Sequence, residues 1–255
     1  MGKTLKRLLA LSAVVSVFIA GYLFYRNKAM DRLYAEAEGY LPYYRGSRES
    51  QDAVKKLATY RGRRSTSMLL YIALRHNPLA PEAQTEAIKA LRERQDSEIA
   101  AALANLLQPH EGLRTRQAAA AALKDLPCKG ACIRSILHYL ERIWRGELNY
   151  EDSILHAGSE DVAASLREDQ KVLYGTLYSV LQREKSETLA NLAEVYGLGS
   201  VNPSPFALDL VSHLGVHEAC QYLLQSDRQL KDLSLESFKA PRQELQAAIG
   251  SLSCR

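Results

Sequence analysis

Cys128 and Cys132 stand four residues apart around Gly130, directly after Pro127. Two thiols at that spacing can meet across a helix start and form a disulfide, given an oxidising compartment. Cys220 and Cys254 would supply a second pair, but four cysteines permit three pairings and the sequence does not choose among them. On the competing reading Cys132 fills a helix interface, Cys128 is a loop thiol, and Cys220, on the apolar stripe of HEACQYLL, is a buried and inert one. A metal centre fits less well, because His138 and His156 stand at no ligand spacing from these thiols.

Glu151, Asp152, His156, Glu160 and Asp161 form the other cluster with chemical potential. Carboxylates beside an imidazole can move protons when a cleft shifts their pKa values. The same composition commonly makes a solvated linker. No G-x-S-x-G, H-E-x-x-H or Gly-rich phosphate loop occurs in the sequence. The opening MGKTLK lacks the Gly-x4 run of a phosphate loop, and Lys6 spoils a myristoylation pattern. His213 and His217 straddle Gly215, which works against a helical i,i+4 pair. The expectation is a protein that is not an enzyme and holds no cofactor, metal or small-molecule substrate.

The elements that carry these residues are helical. The chain has 255 residues, 47% hydrophobic and 24% charged, values that exclude disordered, collagen-like and disulfide-scaffold classes. Apolar residues recur at spacings of three and four, interrupted by Pro78, Pro81, Pro109, Pro127, Pro203, Pro205 and Pro241, and no sustained period-2 alternation occurs. The fold class expected is all-α.

Charge is uneven along that chain. Residues 1–64 carry 13 Lys/Arg against 5 Asp/Glu, whereas the rest carries 20 against 24, so a net +8 is followed by a net −4. The positive quarter surrounds Leu8–Tyr25, eighteen uncharged residues that span roughly 27 Å as a helix, close to the ~30 Å hydrocarbon layer. Lys3, Lys6 and Arg7 precede the run, Arg26, Lys28 and Arg32 follow it, and Tyr22, Phe24 and Tyr25 suit a headgroup layer. A cleavable signal peptide is the alternative, but no small-x-small site follows the apolar core. The near flanks favour an inside N-terminus and a body outside the cytosol; the more distant Arg45, Arg48, Lys55, Lys56, Arg61, Arg63 and Arg64 count less.

Next comes a repeat. Ala53–Leu57, Ala87–Leu91 and Ala119–Leu123 share the form A-x-x-x-L, with leucines 34 and then 32 residues apart. Each precedes a polar break and a second apolar stretch, at 68–74, 99–107 and 133–140; Asp96 or Ser97 before Glu98 offers an N-cap to the middle one. PEAQTEAIKALRE (81–93) and GLRTRQAAAAALKDL (112–126) resemble the first half of HEAT repeats of the short bacterial kind. The resemblance covers about residues 48–146 and implies an α-solenoid of stacked helical pairs used for protein–protein contact, with no catalytic residues.

The organisation expected is therefore a basic tail (1–7), a transmembrane anchor (8–25) and a basic, Tyr-rich juxtamembrane segment (26–47). HEAT-like repeats (48–146), a linker (147–160) and a C-terminal helical region (161–255) follow. Second helices of such stacks usually line the inner face, where Tyr71, Arg75, Arg134, His138, Glu141 and Arg142 would meet a protein partner. The competing reading is a solvated outer face, with pairs such as Glu141–Arg145 contributing little. Tyr40, Tyr43, Tyr44, Arg45 and Arg48 are candidates for anionic headgroups, or for packing under the first repeat. Together these features point to a membrane-anchored adaptor at the bacterial inner membrane with its body in the periplasm. The alternative is an enzyme or nucleic-acid-binding protein on a HEAT-like solenoid, as in HEAT-like DNA glycosylases. The net −4 of the body disfavours nucleic acid.

Overall fold

The computed structural model describes residues 3–39, 47–75, 81–108, 111–146, 160–233 and 239–254, and their side chains except at 3–14, 47, 81, 160–167, 232–233 and 239–241. Among these residues there are twelve α-helices and no strand, so the chain is all-α. In order they are α1 (Lys3–Ala37), α2 (Ser47–Thr59), α3 (Arg63–Leu74), α4 (Pro81–Leu91), α5 (Ser97–Ala104), α6 (Leu113–Leu123), α7 (Ala131–Trp144), α8 (Glu160–Arg183), α9 (Lys185–Tyr196), α10 (Pro205–Leu214), α11 (Cys220–Leu233) and α12 (Lys239–Ser251). Helix ends follow local chemistry. Asp96 caps α5 by accepting the Glu98 N–H at 2.8 Å. Gly197 closes α9 at φ 68°, a left-handed conformation that lets the Leu198 N–H return to the Leu192 carbonyl.

Two compact units divide the chain, residues 1–91 and 92–255. The stretch 48–146, grouped by its repeat, thus contributes to both units.

In the first unit α2 packs against α1, α3 and α4. Helix α1 does not stop at the end of the apolar run. It continues into the proposed juxtamembrane segment as far as Ala37, and its second half enters the core through Met30 and Ala37, both nearly inaccessible. Ser50 Oγ donates to the Glu36 carbonyl at 3.1 Å and Arg26 Nη2 to the Arg61 carbonyl at 2.9 Å, so α1 and α2 run antiparallel. Gln84 Nε2 donates to the Ala73 carbonyl at 3.0 Å, satisfying an otherwise orphaned acceptor at the end of α3. Among the described residues no helix is long and apolar enough to cross a membrane. The side chains of residues 8–14, part of the expected anchor, lie outside the described ones.

In the second unit α5 packs on α6 and α7, α6 on α8, α7 on α9, and α10 and α11 both on α12. Helices α8 and α9 thus lie against the preceding pair instead of forming a body apart. Two polar clamps fix them there. Arg183, at the end of α8, donates to the carbonyls of Leu126 (2.6 Å) and Lys124 just past the end of α6. Glu187 accepts the Gly130 N–H at 2.8 Å, at the start of α7. A cation meets the negative end of one helix and an anion the positive end of the next. Gly130 stands at φ 46°, a region where a side chain would be strained.

The repeat motif is buried in both units, two copies in the first and one in the second. Ala53, Leu57, Ala87, Leu91, Ala119 and Leu123 are all at most 2% exposed. Alanine lets backbones approach closely and leucine fills the space beside it.

Both cysteine pairs are disulfides: Cys128–Cys132, Cα atoms 5.3 Å apart, and Cys220–Cys254, at 5.4 Å. The loop-thiol reading of Cys128 and the inert-thiol reading of Cys220 are therefore corrected. The first bridge staples the turn between α6 and α7, whereas the second ties the end of α12 to the start of α11. Loop closure makes their contributions unequal. A separation of 34 residues corresponds to about 4 kcal/mol, and one of four to about 2 kcal/mol. Replacing Cys220 and Cys254 with serine should therefore lower the thermal midpoint about twice as far as replacing Cys128 and Cys132. Calorimetry of the two double variants checks this, and equal losses would contradict it.

Candidate interaction site

Helix α7 buries Cys132, Ile133, Ile136, Leu137, Tyr139 and Leu140 and turns Arg134 and His138 outward. Helical periodicity makes this division, since the buried set recurs at three and four. Arg142 is half-buried. Glu141 is not on the exposed row: it is 9% exposed, which corrects the expectation that it stands exposed with the other polar positions of the helix. Its carboxylate pairs with Arg145 Nη2 at 2.5 Å, accepts the Tyr196 hydroxyl at 3.1 Å and stands 3.9 Å from His138 Nδ1. Burial, and then the nearby Glu141 charge, push the Tyr196 phenol above its ordinary value, so it stays a hydrogen-bond donor.

Around this knot a cleft of about 600 Å³ opens between the end of α7, the end of α9 and the loop before α10, lined among others by Glu141, Arg145, Tyr196, Asn202, Pro203 and Pro205. Pro205 also borders a second cleft of about 390 Å³, with Trp144, Leu208, Asp209, Glu244 and Ala248. Trp144, the chain's one tryptophan, is half-exposed. Its ring meets Phe206 edge-on at 6.2 Å, and Phe206 tilts against Tyr196 at 5.2 Å. The site therefore sets a half-exposed tryptophan, backed by Phe206 and Tyr196, beside the Glu141–Arg145 ion pair. Among the described residues no group of three or more His, Cys, Asp or Glu is placed to hold a metal ion.

The six expected partner residues divide between the two units. Tyr71 and Arg75 belong to the first, where they are engaged with α1. The Tyr71 ring meets Tyr34 edge-on at 5.9 Å, the Arg75 guanidinium lies 5.6 Å from the Tyr71 centroid, and Arg75 Nη1 pairs with Glu38 Oε2 at 3.1 Å. Arg134, His138, Glu141 and Arg142 all come from α7. Trp144, Tyr196 and Pro205 were missed by the periodicity argument, which followed second helices only. The exposed single tryptophan at the polar end of α7 was the available signal.

Tyr40, Tyr43, Tyr44 and Arg45 lie outside the described residues, as do Glu151, Asp152 and His156 and the side chains of Glu160 and Asp161. Arg48 is described. It is exposed on the first turn of α2, at the Glu36 end of α1, roughly 15 Å along that helix from Arg26 at about 1.5 Å per residue.

No family model, curated protein or solved structure matches the chain.

The Glu38–Arg75 pair carries a pH dependence. Burial of the Glu38 carboxyl raises its pKa above the ordinary carboxylate value, and Arg75 pulls it part of the way back. A raised folded-state value means that ionisation opposes folding. The contribution to stability is complete below the unfolded-state value and is lost as pH rises through the folded-state one. Arg75→Gln should steepen that loss and cost about 1–3 kcal/mol at neutral pH, by leaving a buried carboxylate without its cation. Glu38→Gln should flatten the profile. Urea midpoints between about pH 4 and 7 check both, and parallel profiles for the two variants would contradict the assignment.

Proposed function

We propose that this chain is a membrane-anchored, non-catalytic adaptor: a HEAT-like α-solenoid whose body lies in the periplasm and presents the Trp144–Tyr196–Pro205 cleft to a protein partner. The observation that carries the proposal is the division of labour within α1. Between Val15 and Tyr25 the large apolar side chains Val17, Phe18, Ile19, Tyr22, Leu23, Phe24 and Tyr25 are exposed, whereas from Met30 onward the same helix is part of a core. A contiguous apolar surface of that kind needs a non-aqueous environment or a partner, and basic residues flank it on both sides. The two disulfides fit an oxidising compartment, which favours a body outside the cytosol. The buried A-x-x-x-L seam supports stacked helical pairs.

Fractionation tests the anchor and labelling tests the side. The full chain should pellet with membranes under alkaline carbonate, and Phe18→Asp with Ile19→Asp should move it to the supernatant, since a carboxylate at mid-membrane costs about 2.5–3.5 kcal/mol. In intact cells a membrane-impermeant maleimide should label Cys220 and Cys254 only after reduction. A native chain found in the supernatant would refute the anchor. Labelling that needs lysis but no reductant would put the body in the cytosol.

A further inference from the structure

The structure gathers cations that are far apart in sequence at the level where the exposed apolar run of α1 ends. Arg26 follows Tyr25 directly, and its Nη2 donates to the Arg61 carbonyl at 2.9 Å. That bond holds the α2–α3 turn against α1, so closely that a side chain added at Gly62 would stand 3.7 Å from Arg26 Nη2. Arg64 Nη2 pairs with Asp31 Oδ1 at 2.6 Å, fixing the start of α3 to the same stretch of α1. Lys28 Nζ lies 5.1 Å from the centroid of Phe24. Arg61, Arg63 and Arg64 are exposed, and so is Lys28. Among the described residues, Arg26, Lys28, Arg61, Arg63 and Arg64 thus gather around the stretch of α1 that holds Asp31, while Arg32 is drawn up the helix to Glu36 at 3.2 Å.

We propose that Arg26, Lys28, Arg61, Arg63 and Arg64 form a collar that binds the phosphate-bearing headgroups of anionic glycerophospholipids where α1 leaves the bilayer. The collar rests on the anchored reading of α1. Guanidinium groups pair with phosphate through two parallel N–H donors, and exposed arginines beside a hydrocarbon-facing helix meet such phosphates without further rearrangement. Continuity with Phe24 and Tyr25 selects a lipid surface over a nucleic acid, which would leave those rings in water. The headgroup contact moves accordingly: among the residues expected on the membrane surface, Arg48 stands at the opposite end of the α1–α2 pair.

The test uses the full chain in bilayers of phosphatidylcholine with about one-third phosphatidylglycerol, reading the preference of spin-labelled phosphatidylglycerol over phosphatidylcholine for the protein boundary. The native chain should prefer the anionic lipid several-fold at low salt and lose that preference as salt shortens the screening length. Arg61→Gln with Arg63→Gln should lower the preference at least threefold, whereas Arg61→Lys with Arg63→Lys should retain most of it. Arg114→Gln with Lys129→Gln, two charges removed from the other unit, should leave it unchanged. No change in the glutamine collar variant would show that the flank of α1 alone selects lipid, and would overturn the proposal. So would an equal drop in the Arg114/Lys129 variant, or a salt-insensitive preference in the native chain. Extraction of the native chain by alkaline carbonate would instead remove the anchored reading, and the collar with it.

Discussion

Burial of the second half of α1 is the constraint on which the first unit depends. Met30 and Ala37 give that half an apolar face for α2, and the antiparallel pair is then pinned at both ends by side-chain donors to backbone carbonyls, Ser50 to Glu36 and Arg26 to Arg61. With α1 removed, α2 and α3 would expose the surfaces that now meet it, and Glu38 would lose its place beside Arg75. The same helix cannot complete a core along its first half, because every described large side chain from Val15 to Tyr25 points into the surroundings. One secondary-structure element is therefore exposed along one half and packed along the other, and the change falls between Tyr25 and Met30.

The second unit is fixed by different means. Its one copy of the alanine–leucine motif, Ala119–Leu123, is buried in α6, but the end of α6 and the start of α7 are also matched to opposite charges from the following pair, Arg183 and Glu187. Helix ends are where backbone groups lack partners, so charged side chains placed there both satisfy hydrogen bonds and oppose the helix dipole. The Cys128–Cys132 bridge spans the same turn. Register between successive pairs is thus set at the turn, where a shift by one residue would break a bridge and two clamps together.

Much of the fold was legible because it rests on local periodicity. Ala53/Leu57, Ala87/Leu91 and Ala119/Leu123 mark the buried seam, Asp96 marks a cap, and the Gly197–Pro205 interval marks a loop; each is a short-range signal. What could not be read depends on which distant residues meet. Glu141 sits on the outward spacing of α7, yet Tyr196, from a helix more than fifty residues on, covers it. Arg75 directly follows α3, yet Glu38, just past the end of α1, claims it. The disulfide pairing and the meeting of Arg26 with the Arg61–Arg64 turn are of the same kind. Periodicity assigns a face to a residue, and only tertiary packing says whether that face is occupied.

The unbroken course of α1 has a mechanical consequence. Its 35 residues form one helix of roughly 52 Å, with no glycine or proline between Tyr25 and Ala37 to act as a joint. Anchored in a bilayer, such a helix is a lever and not a leash. A tilt of about 20° carries the far end of its packed half, some 18 Å beyond Tyr25, sideways by about 6 Å, and α2 to α4 with it. Changes in bilayer thickness would then register as rotations of the first unit, where a flexible tether would absorb them.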